Sequence, residues 1–143
     1  MNLYKLHTIP ELLTHYTRRL RIPAVAYDAI ITPNDEYLEP HEFDIALEAI
    51  RKVPGYALDY AIEVLDGRWP EAEEVIATEA YSALMYAGMI LGGRFKLAEE
   101  TIKKDPISAA RYATSILVHK WPEAEPHIKQ DVGAWNLYTQ AFK

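Results

Sequence analysis

The sequence has no cysteine. Disulfide frameworks, thiolate metal sites and cysteine nucleophiles are thereby excluded, and a reducing compartment fits. No uninterrupted apolar run approaches the roughly 18 residues of a membrane span. The N-terminal MNLYKLHTIPELL has no long apolar core of the kind a signal peptide carries. A soluble cytoplasmic protein without a membrane partner is the expectation. Serine occurs only at Ser82, Ser108 and Ser115, outside any nucleophile-elbow motif. There is no phosphate-cradling glycine loop, because Gly92-Gly93 reads as a helix terminator. Basic charge is the minority: 15 Lys and Arg stand against 21 Asp and Glu, a net −6. That argues against direct nucleic-acid binding, which wants a basic surface.

What is present suits one globular domain. The 143 residues are half hydrophobic and one quarter charged, enough to bury a core. An internal repeat dominates the chain. Tyr60, Tyr86, Tyr112 and Tyr138 are spaced by 26 residues, as are Trp69, Phe95 and Trp121. Ala57, Ala83 and Ala109 follow the same period. So do Ala72, Ala98 and Ala124, and Ile76, Ile102 and Ile128. One period before Trp69, HEFDIALEAI is an earlier copy of GRWPEAEEVI, with Phe43, Ala46 and Ile50 in register. The first half of that copy is PAVAYDAI, in which Pro23, Ala26 and Asp28 stand for Pro54, Ala57 and Asp59. The intervening TPNDEYLEP then carries an insertion of five residues.

Each unit reads as a helical hairpin. Ala57, Tyr60, Ala61, Val64 and Leu65 form an apolar stripe on a 3.6-residue period. Pro54 and Pro106 suit first helical positions. Thr78, Asp105 and Asp131 are candidate N-caps, and Gly67 and Gly93 candidate left-handed C-caps. The shorter second half opens at Pro70 or Pro122, with Glu71, Glu73 and Glu123 in a first turn that favours negative charge. Trp69, Ala72 and Ile76 form its stripe. A hairpin this small cannot bury its own apolar face, whereas stacked copies can. The spacing therefore predicts an all-α fold, a small α-solenoid of stacked helical hairpins with an N-terminal capping helix. Its parts are a capping helix at 1–22, a divergent repeat at 23–52, repeats at 53–78, 79–104 and 105–130, and a half repeat at 131–143. Helices are expected at 9–21, 23–32, 40–52, 54–66, 70–77, 79–92, 96–103, 106–118, 122–129 and 132–142. The repeating aromatic residues should be buried between units.

The phrases RWPEAE (68–73), KWPEAEP (120–126) and KDPISAARYA (104–113) resemble a short helical-repeat family of tailed bacteriophages and bacteria. Its units read R-W-P-E-A-E-P and D-P-x-x-A-x-x-Y-A. The resemblance covers residues 53–143, and residues 23–52 more weakly. The third unit departs from it, with Arg94-Phe95-Lys96-Leu97-Ala98 in place of RWPEA. The resemblance implies an α-helical repeat fold and a viral origin. It implies no activity and carries over no functional residue.

No catalytic constellation is visible, and neither an enzyme nor a cofactor is expected. His119 and His127, with Glu123 and Glu125 between them, match no metal-ligand spacing and read as solvated. The charge, however, is unevenly spread. Residues 33–79 carry thirteen acidic and three basic side chains, a net −10, between flanks of +2 each. Asp59, Glu63 and Asp66 should share the outer face of their helix. With Asp35, Glu36 and Glu39 on the inserted segment, they are candidates for the footprint of a basic protein partner. The helix at 79–92 is apolar nearly all round, and Met85 and Met89 make it a second candidate surface. The expected function is a non-enzymatic protein–protein interaction module, a phage protein that binds and inhibits or modulates a host protein through an acidic helical surface. Such a surface can imitate nucleic acid towards a nucleic-acid-handling enzyme. The alternative is a structural or oligomeric component that self-associates through the apolar central helix.

Overall fold

The computed structural model describes residues 18–32 and 38–143. All regular structure among them is helical, with no strand. Two helices come first, α1 (Pro23–Ile31) and α2 (Pro40–Arg51), each opened by its proline. Proline costs nothing there, because the amide hydrogen it lacks would have no helical partner. Next, α3 (Pro54–Tyr60) runs on into a π turn at Ala61–Leu65, and a 3₁₀ turn at Pro70–Ala72 opens α4 (Glu73–Ile76). The pattern then repeats. Helix α5 (Ala80–Tyr86) passes into a π turn at Ala87–Leu91, then a 3₁₀ turn at Lys96–Ala98 and α6 (Glu99–Lys104). Helix α7 (Pro106–Tyr112) passes into Ala113–Leu117, then Pro122–Ala124 and α8 (Glu125–Ile128). The last helix is α9 (Val132–Ala141).

The long-helix series α1, α3, α5, α7 and α9 packs each member against the next, and α4, α6 and α8 sit against the helices on either side of them. The core follows the 26-residue period. Ala57, Ala83 and Ala109 are fully buried, and without larger side chains the helices approach closely. Ile50, Ile76, Ile102 and Ile128 form a second fully buried column. Tyr60, Tyr86, Tyr112, Trp69, Phe95 and Trp121 are all buried, as the register requires. No described helix is long and apolar enough to cross a membrane.

The divergent copy is helical but built differently. Ala46 and Ile50 are buried in register, and Pro23, Ala26 and Asp28 repeat the first-turn proline, buried alanine and exposed aspartate of α3. Phe43, however, lies inside α2 and is half-buried. Asp44 stands where Pro70 and Pro122 stand, so nothing interrupts the helix, and Pro40 opens it earlier. Of the expected capping helix, residues 9–17 lie outside the described residues, and so does 33–37, which holds Asp35 and Glu36. Leu20 is buried and Arg18, Arg19 and Arg21 are exposed.

Three local expectations are corrected. The left-handed residues are Asp66 (φ 47°), Gly92 (φ 62°) and Val118 (φ 56°), one position before Gly67 and Gly93. In the widened turn the amides of Asp66 and Gly67 both donate to the Ala61 carbonyl, so the chain reverses at Asp66. The same widening turns Val64 and Leu65 out of the expected stripe, and both are exposed. Thr78 is not an N-cap: its hydroxyl donates to the Val75 carbonyl at 2.6 Å. Glu79 caps α5 instead, accepting from the amides of Tyr81 (3.0 Å) and Ser82 (2.7 Å). It occupies the register position of Asp105 and Asp131, which accept from Ser108 (2.9 Å) and Ala134 (2.7 Å).

Candidate functional site

Helix α3 and the π turn that continues it present Asp59, Glu63 and the cap residue Asp66 to solvent. Asp59 and Glu63, one turn apart, form a charged pair. Desolvation of its carboxyl, and then the Glu63 charge, push Asp59 above its ordinary value. Glu63 is also anchored, since it accepts the Tyr27 O–H at 2.6 Å from α1. Burial, and then this carboxylate, hold the Tyr27 phenol well above the ordinary tyrosine range. Asp66 does not continue the pair by an i, i+3 step. The π turn breaks the 3.6-residue period between them, and Asp66 is the left-handed cap beyond it. Glu39 is exposed at the N-cap of α2, without a side-chain cap bond.

The remaining candidates divide. On α5, Leu84 is buried and Met85 is half-buried, and in the π turn after it Met89 is 55% exposed. Position in the stack therefore accounts for Leu84 but leaves Met89 open, and Tyr81, two turns earlier, is 54% exposed. His119 is exposed, with Nδ1 2.8 Å from the Lys120 carbonyl, and His127 is half-buried. No group of three or more His, Asp or Glu among the described residues could hold a metal ion.

Sequence reasoning missed an acidic groove. Asp44, Leu47, Glu48 and Arg51 of α2, with Trp69 and Glu71, enclose about 390 Å³. Asp44 and Glu48 also line a second groove of about 410 Å³ with Arg21, Pro23 and Lys52. The signal was available, because Asp44 and Glu48 stand one turn apart on α2, off its buried positions. Two of the cations here are already engaged: Arg51 Nε donates to Glu48 at 3.1 Å, and Lys52 lies 3.8 Å from it.

It also missed a relay that recurs in three units. Tyr86 accepts the Trp69 amide (2.9 Å) and donates to Glu73 (2.9 Å), which is paired with Arg68 (2.9 Å). Tyr112 joins Phe95, Glu99 and Arg94 in the same way, and Tyr138 joins Trp121 and Glu125. Burial pushes Tyr112 and Tyr138 up to about 12. A phenol held neutral by burial and by the carboxylate it donates to, and repeated in three units, is a structural bond rather than an acid–base site. The period places Glu73, Glu99 and Glu125 at one register position, but in the sequence Glu73 reads only as a helix-dipole residue. No protein-family model, curated protein or solved structure matches the chain.

Proposed function

We propose that the stacked units form a small α-solenoid that works as a protein-interaction module without catalysis, offering the acidic surface of α3 to a basic protein partner. One observation carries this reading. Glu48, Glu73, Glu99 and Glu100 are each paired with a lysine or arginine, whereas Asp59 and Glu63 are exposed with no cation beside them among the described residues. Uncompensated like charges on one face raise the local potential and speed the encounter with a basic surface. Asp66, at the cap that follows, and Glu39, at the start of α2, are exposed as well. The resemblance to phage repeat proteins makes a host protein the natural partner, and a nucleic-acid-handling protein has the basic surface that fits.

The test is affinity capture from bacterial lysate across a salt series, with captured proteins identified by mass spectrometry and the interaction rebuilt from purified components. A basic protein bound at low salt and released as ionic strength rises supports the reading, since exposed charges are screened over about 10 Å at 0.1 M. A partner whose binding ignores salt contradicts it. Met89 and Tyr81, open on the central helix, favour self-association as a second reading.

A further inference from the structure

Neighbouring helices present opposite characters at equivalent register positions. On α3 and the π turn after it these positions hold Asp59 and Glu63. On α5 and its π turn they hold Met85 and Met89, and on α7 and its π turn Arg111 and Ser115. All are exposed except the half-buried Met85. The Asp59 carboxylate and the Arg111 guanidinium make no ion pair or side-chain hydrogen bond among the described residues. They cannot neutralise each other within one chain. Helix α5 packs between α3 and α7, and two interaxial spacings of roughly 8–10 Å each keep the charges apart. Across the three helices the face therefore runs negative, apolar, positive.

That order is self-complementary under a twofold axis parallel to α5 and running along its outer face. The rotation lays α5 against α5 of a second copy and α3 against α7. An axis across the helices would instead lay α3 on α3, acid against acid. With the axis along α5, Asp59 meets Arg111 of the second copy twice, once on each side of a methionine seam. Ile107, 48% exposed and one turn before Arg111, then faces Gly55, around whose missing side chain there is open space. Methionine suits such a seam because its unbranched side chain adapts to a partner surface.

We propose that the occupant of this face is a second copy of the chain, in a parallel twofold dimer seamed by Met85 and Met89 and flanked by two Asp59–Arg111 ion pairs. The proposal rests on the self-association reading and not on the basic-partner reading. Because it uses Asp59, dimerisation and capture of a basic partner compete.

The test is sedimentation velocity on purified protein from about 1 to 300 μM at low salt, with helical content followed by circular dichroism. Wild type is expected to dimerise as concentration rises. Asp59→Arg and Arg111→Glu should each weaken the dimer about tenfold or more, because each places like charges at both flanks. An equimolar mixture of the two variants should dimerise again, since each then offers the other the opposite charge. A wild type that stays monomeric throughout overturns self-association itself. A dimer that survives both single variants, or a mixture of folded variants that stays monomeric, overturns this arrangement.

Discussion

The backbone amide of Trp69 donates to the hydroxyl of Tyr86, 2.9 Å away and one unit further along the chain. Trp69 also packs on Tyr60 of its own unit at 4.7 Å between ring centroids. The same steps recur through Phe95, Tyr112, Trp121 and Tyr138, so rings and hydroxyls alternate along the stack. Tyr86, Tyr112 and Tyr138 each thereby tie one unit to the next.

Removing one hydroxyl should expose this role. Tyr112→Phe leaves the Phe95 amide and the Glu99 carboxylate without their partner, and should cost about 1–3 kcal/mol. Tyr60→Phe is the internal control. Leu47 stands where a relay glutamate would, and the Phe43 amide donates to Glu39 instead, so the loss there should be below about 1 kcal/mol. Urea unfolding of both variants makes the comparison, and equal losses would remove the relay from the account.

Val118 holds a conformation that suits glycine. It is left-handed at φ 56°, 70% exposed and β-branched, in the register position of Gly92. Val118→Gly should therefore stabilise the protein by about 0.5–1 kcal/mol, and Gly92→Val should destabilise it by about 1–2 kcal/mol. A Cβ at position 92 meets nothing within 4 Å, so the effect is purely conformational. Thermal melts would detect both shifts, and shifts of the opposite sign would contradict the assigned geometry.

The cap of α5 gives a sharper test of register. Glu79→Ala should cost about 0.5–2 kcal/mol, the ordinary loss of an N-cap, while Thr78→Ala should cost less. Chemical denaturation of the pair would show which residue holds the helix start.

Most of the helical architecture was legible because the period is strict. Each of the three full repeats buries alanine, tyrosine and isoleucine at fixed offsets, and proline marks most of the starts. Local detail was harder. An i, i+4 pattern does not announce a π turn, so Val64, Leu65 and Asp66 were placed by the wrong period. Thr78 is the better intrinsic cap, yet register favours Glu79. Of the candidate surface, the exposure of Asp59 and Met89 was readable from one helix. The groove beside Asp44 and Trp69 needed two units brought together in space. The open space at Gly55 is likewise invisible in the order of residues.

Acid should loosen the units in a definite way. Hydrogen bonding from Arg94 holds the Glu99 carboxyl below the usual range. A depressed folded value contributes stability above the unfolded value of about 4.3 and loses it as pH falls through the folded one. The stability difference between wild type and Glu99→Gln should thus be largest near neutrality and shrink below about pH 4. A difference that grows on acidification would show that Glu99 is not held in its charged form.

The central claim is that the acidic face of α3 binds a basic protein. The most direct measurement compares wild type with Asp59→Asn, Glu63→Gln, Asp66→Asn combined. These changes remove three charges while keeping an acceptor for the Tyr27 hydroxyl and a side chain tolerant of the left-handed backbone at position 66. Binding of the captured, purified partner would be followed by calorimetry at fixed salt. The account predicts an intact fold and an affinity at least about tenfold weaker. A folded variant that binds the same partner equally well would contradict it.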